Sequence, residues 1–218
     1  MAVTDNLKSK NVAYLLKLPS PPAPLLECLI SAAEQIPLDP GGRNYLQEFH
    51  HNKVQIVDQV YGKVPLDNDI QMQVKNLYEE YFNCKLYGVV ARIENVQKTG
   101  FSTLPPHCDR YRRTAINYIL QGGGSNVLTD FYKNYRKKSD LSTSENMPYS
   151  EVELDFKIRF PERTWVLFDS QRCHGVENVE NVRLIFSLLL ENEDNIDFQK
   201  FISKYRNLID YDTSLPVL

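Results

Sequence analysis

Eight short segments of strand-like composition follow one another between Lys85 and Leu190, with no helical pattern between them. Each segment is rich in Val, Ile, Tyr and Phe and is bounded by turn residues. Strands that follow one another without helices favour a β-sandwich or a barrel over a parallel α/β sheet. The predicted strands are Leu86–Asn95, Ser102–Asp109, Arg113–Leu120, Val127–Tyr132, Val152–Phe160, Thr164–Phe168, His174–Val179 and Val182–Leu190.

The segments on either side of these strands have helical periodicity instead. A helix is predicted over Ala23–Gln35, after a Pro-rich run and before Pro37. A second apolar set runs from Ile70 to Phe82, and Asp67 or Asp69 is placed to cap its start. A third set, from Phe198 to Ile209, predicts a closing helix that packs on the barrel or on a second copy of the chain.

The length of 218 residues and mass of 25.3 kDa fit a single domain. We expect a mainly helical part over 1–84, the β core over 85–190 and the closing helix within 191–218. The net charge of −3 gives no global reason to expect a nucleic-acid or membrane partner. The start resembles no signal peptide, and no segment approaches the ~20 apolar residues that cross a bilayer. Four cysteines without paired spacing suggest reduced thiols, and we expect a cytoplasmic protein.

His107 and Asp109 are separated by one residue on the second predicted strand. Side chains alternate along a strand, so these two point to the same face while Cys108 points to the other. The chain has only three further histidines, so the third ligand, a second nitrogen, must come from His174 or from the adjacent pair His50 and His51.

His174 begins the seventh predicted strand, and Arg183 follows nine residues later at the start of the eighth. Two imidazoles and one carboxylate can bind one face of a six-coordinate iron(II) and leave the opposite face open. A lone His-x-Asp occurs by chance in many chains, but its placement together with His174 predicts an iron site formed by His107, Asp109 and His174.

Cys108 and Cys173 adjoin these candidate ligands and raise the alternative of a tetrahedral zinc site. Strand alternation directs Cys108 away from His107, and a carboxylate with two histidines suits iron better.

The His-x-Asp motif, the stretch F-D-x-x-x-x-H-G-V around His174 and the Arg within V-R-L-I-F-S-L resemble the Fe(II)- and 2-oxoglutarate-dependent dioxygenases. This resemblance implies a double-stranded β-helix, a jelly-roll or cupin-like core of eight strands, over 86–190. The last third most resembles the aspartyl/asparaginyl β-hydroxylase branch. That branch usually has Gly where Asp109 stands and Arg-x-His where this chain has Ala115-x-Asn117.

The resemblance implies that His107, Asp109 and His174 are the catalytic iron ligands. It also implies that 2-oxoglutarate and O2 occupy the remaining positions, and that succinate and CO2 are released as a carbon is hydroxylated. Arg183 would bind the distal carboxylate of 2-oxoglutarate through two parallel hydrogen bonds. The alternative is an ordinary ion pair of Arg183 with Glu177 or Glu180.

Asn117 lies on the third predicted strand, where polar residues of this superfamily contact the co-substrate, so it is a second candidate for co-substrate binding. The alternative is a buried amide that satisfies the backbone. Ser187 shares the face of Arg183 but lies four residues further along the strand. Tyr118 and Trp165 are predicted to be core residues.

Basic residues cluster around Arg110–Arg113 and Lys133–Lys138. They would attract an acidic peptide, a nucleotide or a phosphorylated metabolite, or they form solvated loops. The leading hypothesis is a hydroxylase of a protein side chain or a small molecule. A nucleic-acid demethylase or oxidase is supported only by the basic loop, and no stacking platform accompanies it. A non-catalytic, cupin-like metal-binding barrel would leave Arg183 unexplained, and Asp109 fills the position that halogenases leave open.

Overall fold

The computed structural model describes residues 12–35, 59–64, 68–96, 102–109, 112–136, 145–191 and 196–218. Three α-helices occur within them: α1 (Ala23–Gln35), α2 (Asn68–Phe82) and α3 (Phe198–Lys204). The strands in the same residues are β1 (Ala13–Leu16), β2 (Gln59–Val64), β3 (Leu86–Val96), β4 (Ser102–Cys108), β5 (Thr114–Gly122), β6 (Leu128–Arg136), β7 (Glu145–Asn146), β8 (Leu154–Ile158), β9 (Thr164–Asp169), β10 (Arg172–Val179), β11 (Arg183–Leu190) and β12 (Ile209–Asp210).

The strands form two antiparallel sheets. The larger sheet has the order β12-β1-β9-β5-β11-β3-β2, and the smaller sheet has the order β7-β4-β10-β6-β8. Successive strands from β3 to β6 alternate between the sheets, as do β8 to β11. This connectivity is the predicted double-stranded β-helix, and the molecule is mainly β.

Strand β5 shows how the sequence builds two apolar layers on the larger sheet. Ala115 and Ile119 face the smaller sheet and pack in one buried cluster with Phe131. Ile116 and Tyr118 face the opposite way and pack in a second cluster with residues of the helices. This alternation follows from the pleat, which directs successive side chains to opposite faces. The predicted core residues Tyr118 and Trp165 are indeed buried.

The eight predicted core strands are confirmed, with ends that shift by a few residues at most. The helix over Ala23–Gln35 is confirmed. In α2, Asp69 lies in the first turn, where a carboxylate favours the positive end of the helix dipole, and therefore does not precede the helix as a cap. Asp67 lies outside the described residues.

One prediction about the flanking segments was wrong, and another was incomplete. The described part of the N-terminal third contains the helices α1 and α2, but it also contains the unpredicted strands β1 and β2, which extend the larger sheet. The closing helix ends at Lys204, and Ile209 pairs with Leu16 in a strand instead of extending it. Strands β1 and β12 have four and two residues, which carry too little alternation to be predicted, and Gly62 interrupts the apolar pattern of the six-residue β2. Helix α3 packs its buried residues against the same apolar cluster as Trp165, on the barrel.

No helix within the described residues is long and apolar enough to span a membrane.

Candidate metal centre

His107 on β4 and His174 on β10 lie directly opposite each other in the smaller sheet. Their ring centroids are 4.4 Å apart. Asp109 follows the end of β4, and one carboxylate oxygen, Oδ1, lies 3.8 Å from Nε2 of His107. One ligand atom of each of the three residues lies within 4.8 Å of the other two. The structure therefore brings together the three residues that the sequence proposed as ligands.

Backbone carbonyls fix both imidazoles. Nδ1 of His107 lies 2.8 Å from the carbonyl oxygen of Pro105, and Nδ1 of His174 lies 2.9 Å from that of Arg172. A carbonyl can only accept a hydrogen bond, so each Nδ1 carries the proton and donates. Each Nε2 is then a lone-pair donor, as in metal sites whose histidines are oriented by a second hydrogen bond.

Burial lowers the pKa of His174 to about 4, and the neighbouring His107 contributes in the same direction. Asp109 acts against this shift but does not outweigh it. His174 is therefore uncharged at neutral pH, which is the form that can bind a metal. The apolar environment comes from Phe131 and Phe168, whose rings lie 6.2 and 5.1 Å from the His174 ring.

Gly175 lets β4 and β10 approach each other beside the histidines. A Cβ at this position would lie 2.8 Å from the carbonyl oxygen of Leu104. The space that a side chain would need at Gly175 is thus filled by the backbone of β4.

Arg112 binds the other carboxylate oxygen of Asp109. Its Nε donates to Oδ2 over 2.8 Å, and the arginine is only 4% exposed. Sequence reasoning placed Arg112 in a basic surface cluster and missed this contact. The sequence did contain one indication of this contact: Arg112 follows Asp109 by three residues and stands directly before an apolar strand.

Asn117 and Ser187 are register partners on β5 and β11 and are both buried between the sheets. Ser187 Oγ donates to Asn117 Oδ1 over 2.7 Å, and Arg112 Nη1 donates to the same oxygen over 3.4 Å. The amide oxygen therefore accepts from side chains and not from backbone groups. Because both donors meet Oδ1, the amide nitrogen points away from them.

Arg183 begins β11 and is the register partner of Gly122 at the end of β5, five residues beyond Asn117. It is 7% exposed and borders a cavity of about 680 Å³, which is also lined by Ile119, Gly123 and Thr129. Of its suggested ion-pair partners, Glu177 pairs with Lys157. Glu180 accepts a hydrogen bond from Asn126.

The two cysteines beside the ligands lie on the other face of the smaller sheet. Cys108 and Cys173 are fully buried in one cluster with Tyr132, and Cys108 Sγ donates to the carbonyl of Gln171. Neither belongs to the ligand group, so the geometry does not support a zinc site that uses them. Within the described residues no second group of three potential ligands is found, and His50 and His51 lie outside those residues.

Two imidazoles and one carboxylate on a double-stranded β-helix define a site of the 2-His-1-carboxylate type. No family model and no curated protein matches this sequence.

Solved structures with a similar backbone fold include the following three proteins. A Pseudomonas putida prolyl-4-hydroxylase is 12% identical with a TM-score of 0.44, and the match covers 88% of this chain and 98% of that one. AviO1 from Streptomyces viridochromogenes Tue57 is 11% identical with a TM-score of 0.48, covering 90% and 98%. The epimerase SnoN, solved with Fe3+, alpha ketoglutarate and nogalamycin RO, is 12% identical with a TM-score of 0.45, covering 85% and 81%.

Proposed function

We propose that this chain is an Fe(II)- and 2-oxoglutarate-dependent dioxygenase that hydroxylates a protein side chain or a small molecule and releases succinate and CO2. The observation that carries the proposal is the group formed by His107, Asp109 and His174, with ligand atoms within 4.8 Å of one another. The position of His107 on β4, of Asp109 directly after β4 and of His174 on β10 of a double-stranded β-helix agrees with the resemblance in the sequence motifs.

The donor set fits iron(II). It offers two imidazoles held by backbone carbonyls and one carboxylate oxygen, which would together suit one face of a six-coordinate ion. Bound iron would supply the activation of O2 that oxidises a carbon centre. The protein's own part is to hold the imidazole protons on Nδ1 and to surround His174 with apolar rings.

Arg183 and Asn117 are the proposed contacts of 2-oxoglutarate. A buried guanidinium beside a cavity suits the distal carboxylate, and such a charge-assisted pair contributes about 1.5–3 kcal/mol. Asn117 lies on the same inner face and directs its amide nitrogen away from Ser187 and Arg112, so this nitrogen can donate to a bound group.

A peptide side chain or a small molecule is the proposed substrate class. The nucleic-acid alternative depends on exposed basic residues, but Arg112 is buried against Asp109 and Lys133 pairs with Glu153. These contacts reduce the positive charge that the two basic clusters present to a partner.

Succinate release tests the proposal. Purified chain with Fe(II), ascorbate and 2-oxoglutarate is assayed against pools of peptides, small metabolites and methylated oligonucleotides. We expect a pool-dependent increase in succinate with wild-type protein and with Cys108→Ala, and none with Asp109→Ala. The control is matched because Cys108 adjoins the ligands but faces the other side of the sheet. No succinate from any pool would support the non-catalytic barrel, and selective stimulation by oligonucleotides would support the nucleic-acid alternative.

A further inference from the structure

The backbone around Asp109 is tied to the turn between β9 and β10. The Asp109 amide donates to the carbonyl of Ser170 over 2.9 Å. Gln171 Nε2 donates to the carbonyls of Asp109 and Arg112, over 3.2 and 2.7 Å, and Ser170 Oγ donates to the carbonyl of Arg112 over 3.0 Å. These bonds fix the backbone positions of Asp109 and Arg112. They do not fix the rotation of the Asp109 carboxylate.

The rotation of the carboxylate is set by Arg112. Its Nε lies 2.8 Å from Oδ2, while Oδ1 faces Nε2 of His107 at 3.8 Å. The guanidinium is itself held, because it is 4% exposed and its Nη1 lies 3.4 Å from Oδ1 of Asn117. Asn117 is in turn fixed by Ser187. A buried chain of hydrogen bonds thus runs from β11 to the candidate metal ligand.

We infer that Arg112 is a positioning residue that keeps Asp109 a one-oxygen metal ligand. The inference rests on the proposed metal site and adds a residue to it. With Oδ2 bound to the guanidinium, only Oδ1 is presented to the metal. A carboxylate that bound through both oxygens would use one more position on the ion, and the oxygen chemistry of such sites depends on open positions.

Charge and orientation make opposite predictions for the loss of Arg112. A buried guanidinium repels a metal cation nearby, so removing its charge alone should tighten metal binding. Loss of a residue that orients a ligand typically weakens metal binding by about 10- to 100-fold. The sign of the change therefore separates a positioning role from a purely electrostatic one.

The test is a cobalt(II) titration of metal-free protein, without co-substrate, for wild type, Arg112→Gln and Arg112→Lys. Arg113→Gln is the matched control, since it removes the same charge one residue away. Arg113 makes no hydrogen bond to Asp109, and its buried Nε has no partner within the described residues. Far-UV circular dichroism and thermal unfolding establish that each variant is folded. If Arg112→Gln does not fold, the test relies on Arg112→Lys, which keeps the positive charge.

We expect both Arg112 variants to bind cobalt(II) about 10- to 100-fold more weakly, with ligand-field bands of altered position and intensity. Arg113→Gln should keep the wild-type spectrum and should not lose affinity. Arg112 variants that bind as tightly as wild type, or more tightly, with an unchanged spectrum would overturn the positioning role alone. A wild-type chain that does not bind cobalt(II) would overturn the proposed metal site as well.

Discussion

His107 and His174 are directly opposed across β4 and β10, with ring centroids 4.4 Å apart. The two residues are far apart in sequence, so their distance is set by the register of the two strands. A shift of this register by one residue would turn one histidine to the outer face of the smaller sheet. The metal site therefore depends on whatever fixes this register.

Gly175→Ala tests the close approach of these strands. The added Cβ would lie 2.8 Å from the carbonyl oxygen of Leu104, and a backbone atom cannot move aside cheaply. We expect a loss of about 1–3 kcal/mol in the free energy of unfolding, measured in urea, and weaker cobalt(II) binding. Gly122→Ala is the control, since its Cβ would meet the flexible side chain of Glu162 at 3.0 Å. Equal effects of the two substitutions would contradict the importance of the Gly175 contact.

The stability of the protein should depend on the titration of Asp130. Burial, with help from the charge of Glu177, raises the pKa of Asp130 to about 7, although Lys157 opposes the shift. Lys157 Nζ is 3.8 Å from Oδ1, too far for a hydrogen bond. The folded state therefore holds a proton that the unfolded state has lost above about pH 4, and Asp130 lowers stability progressively between about pH 4 and 7.

Asp130→Asn removes the loss of stability that the Asp130 carboxyl group causes above about pH 4, and it keeps the shape of the side chain. We expect the variant to be more stable than wild type at pH 8 by on the order of a few kcal/mol, because each pKa unit corresponds to about 1.4 kcal/mol. The difference should vanish near pH 4. Urea unfolding across this pH range measures it, and a wild-type advantage that grows with pH would show that Asp130 is ionised and well paired.

Ser187→Ala removes the hydroxyl that holds Asn117. The bond is 2.7 Å long and Ser187 is fully buried, so we expect about 1–2 kcal/mol lower stability and a higher KM for 2-oxoglutarate. Ser203→Ala is the control, because that exposed hydroxyl bonds only the carbonyl of Gln199 on its own helix. An unchanged KM would mean that Asn117 does not contact the co-substrate.

Arg183→Gln separates co-substrate binding from metal binding. Loss of a charge-assisted pair worth about 1.5–3 kcal/mol should raise the KM for 2-oxoglutarate about 10- to 100-fold. Cobalt(II) affinity should not change, since Arg183 is not part of the ligand group formed by His107, Asp109 and His174. Arg159→Gln, an exposed arginine on the same cavity, should have little effect. A fall in metal affinity with an unchanged KM would show that Arg183 supports the metal site and does not bind 2-oxoglutarate.

Local sequence patterns predicted the parts of the molecule that depend on local geometry. The shared face of His107 and Asp109 follows from strand alternation, and the eight core strands follow from composition and turns. The place of His174 opposite His107 depends on long-range register, and the sequence suggested it only indirectly, through the small number of histidines, the position of His174 on a predicted strand and the resemblance to a known superfamily.

The remaining features depend on contacts between distant segments. Strand β12 is only two residues long and gains its partner, Leu16, from the other end of the chain. In the sequence, Arg112 is one of several arginines in a basic cluster. Only the fold shows that its side chain donates hydrogen bonds to both Asp109 and Asn117.

The most direct test of the central claim is an anaerobic titration with iron(II) in the presence of 2-oxoglutarate, followed through the weak visible charge-transfer band of the complex. The account predicts a band that saturates at one iron per chain, is abolished by His174→Ala and is retained by Cys173→Ala. No band with the wild-type protein, or an equal band with His174→Ala, would contradict the assignment of His107, Asp109 and His174 as the iron ligands.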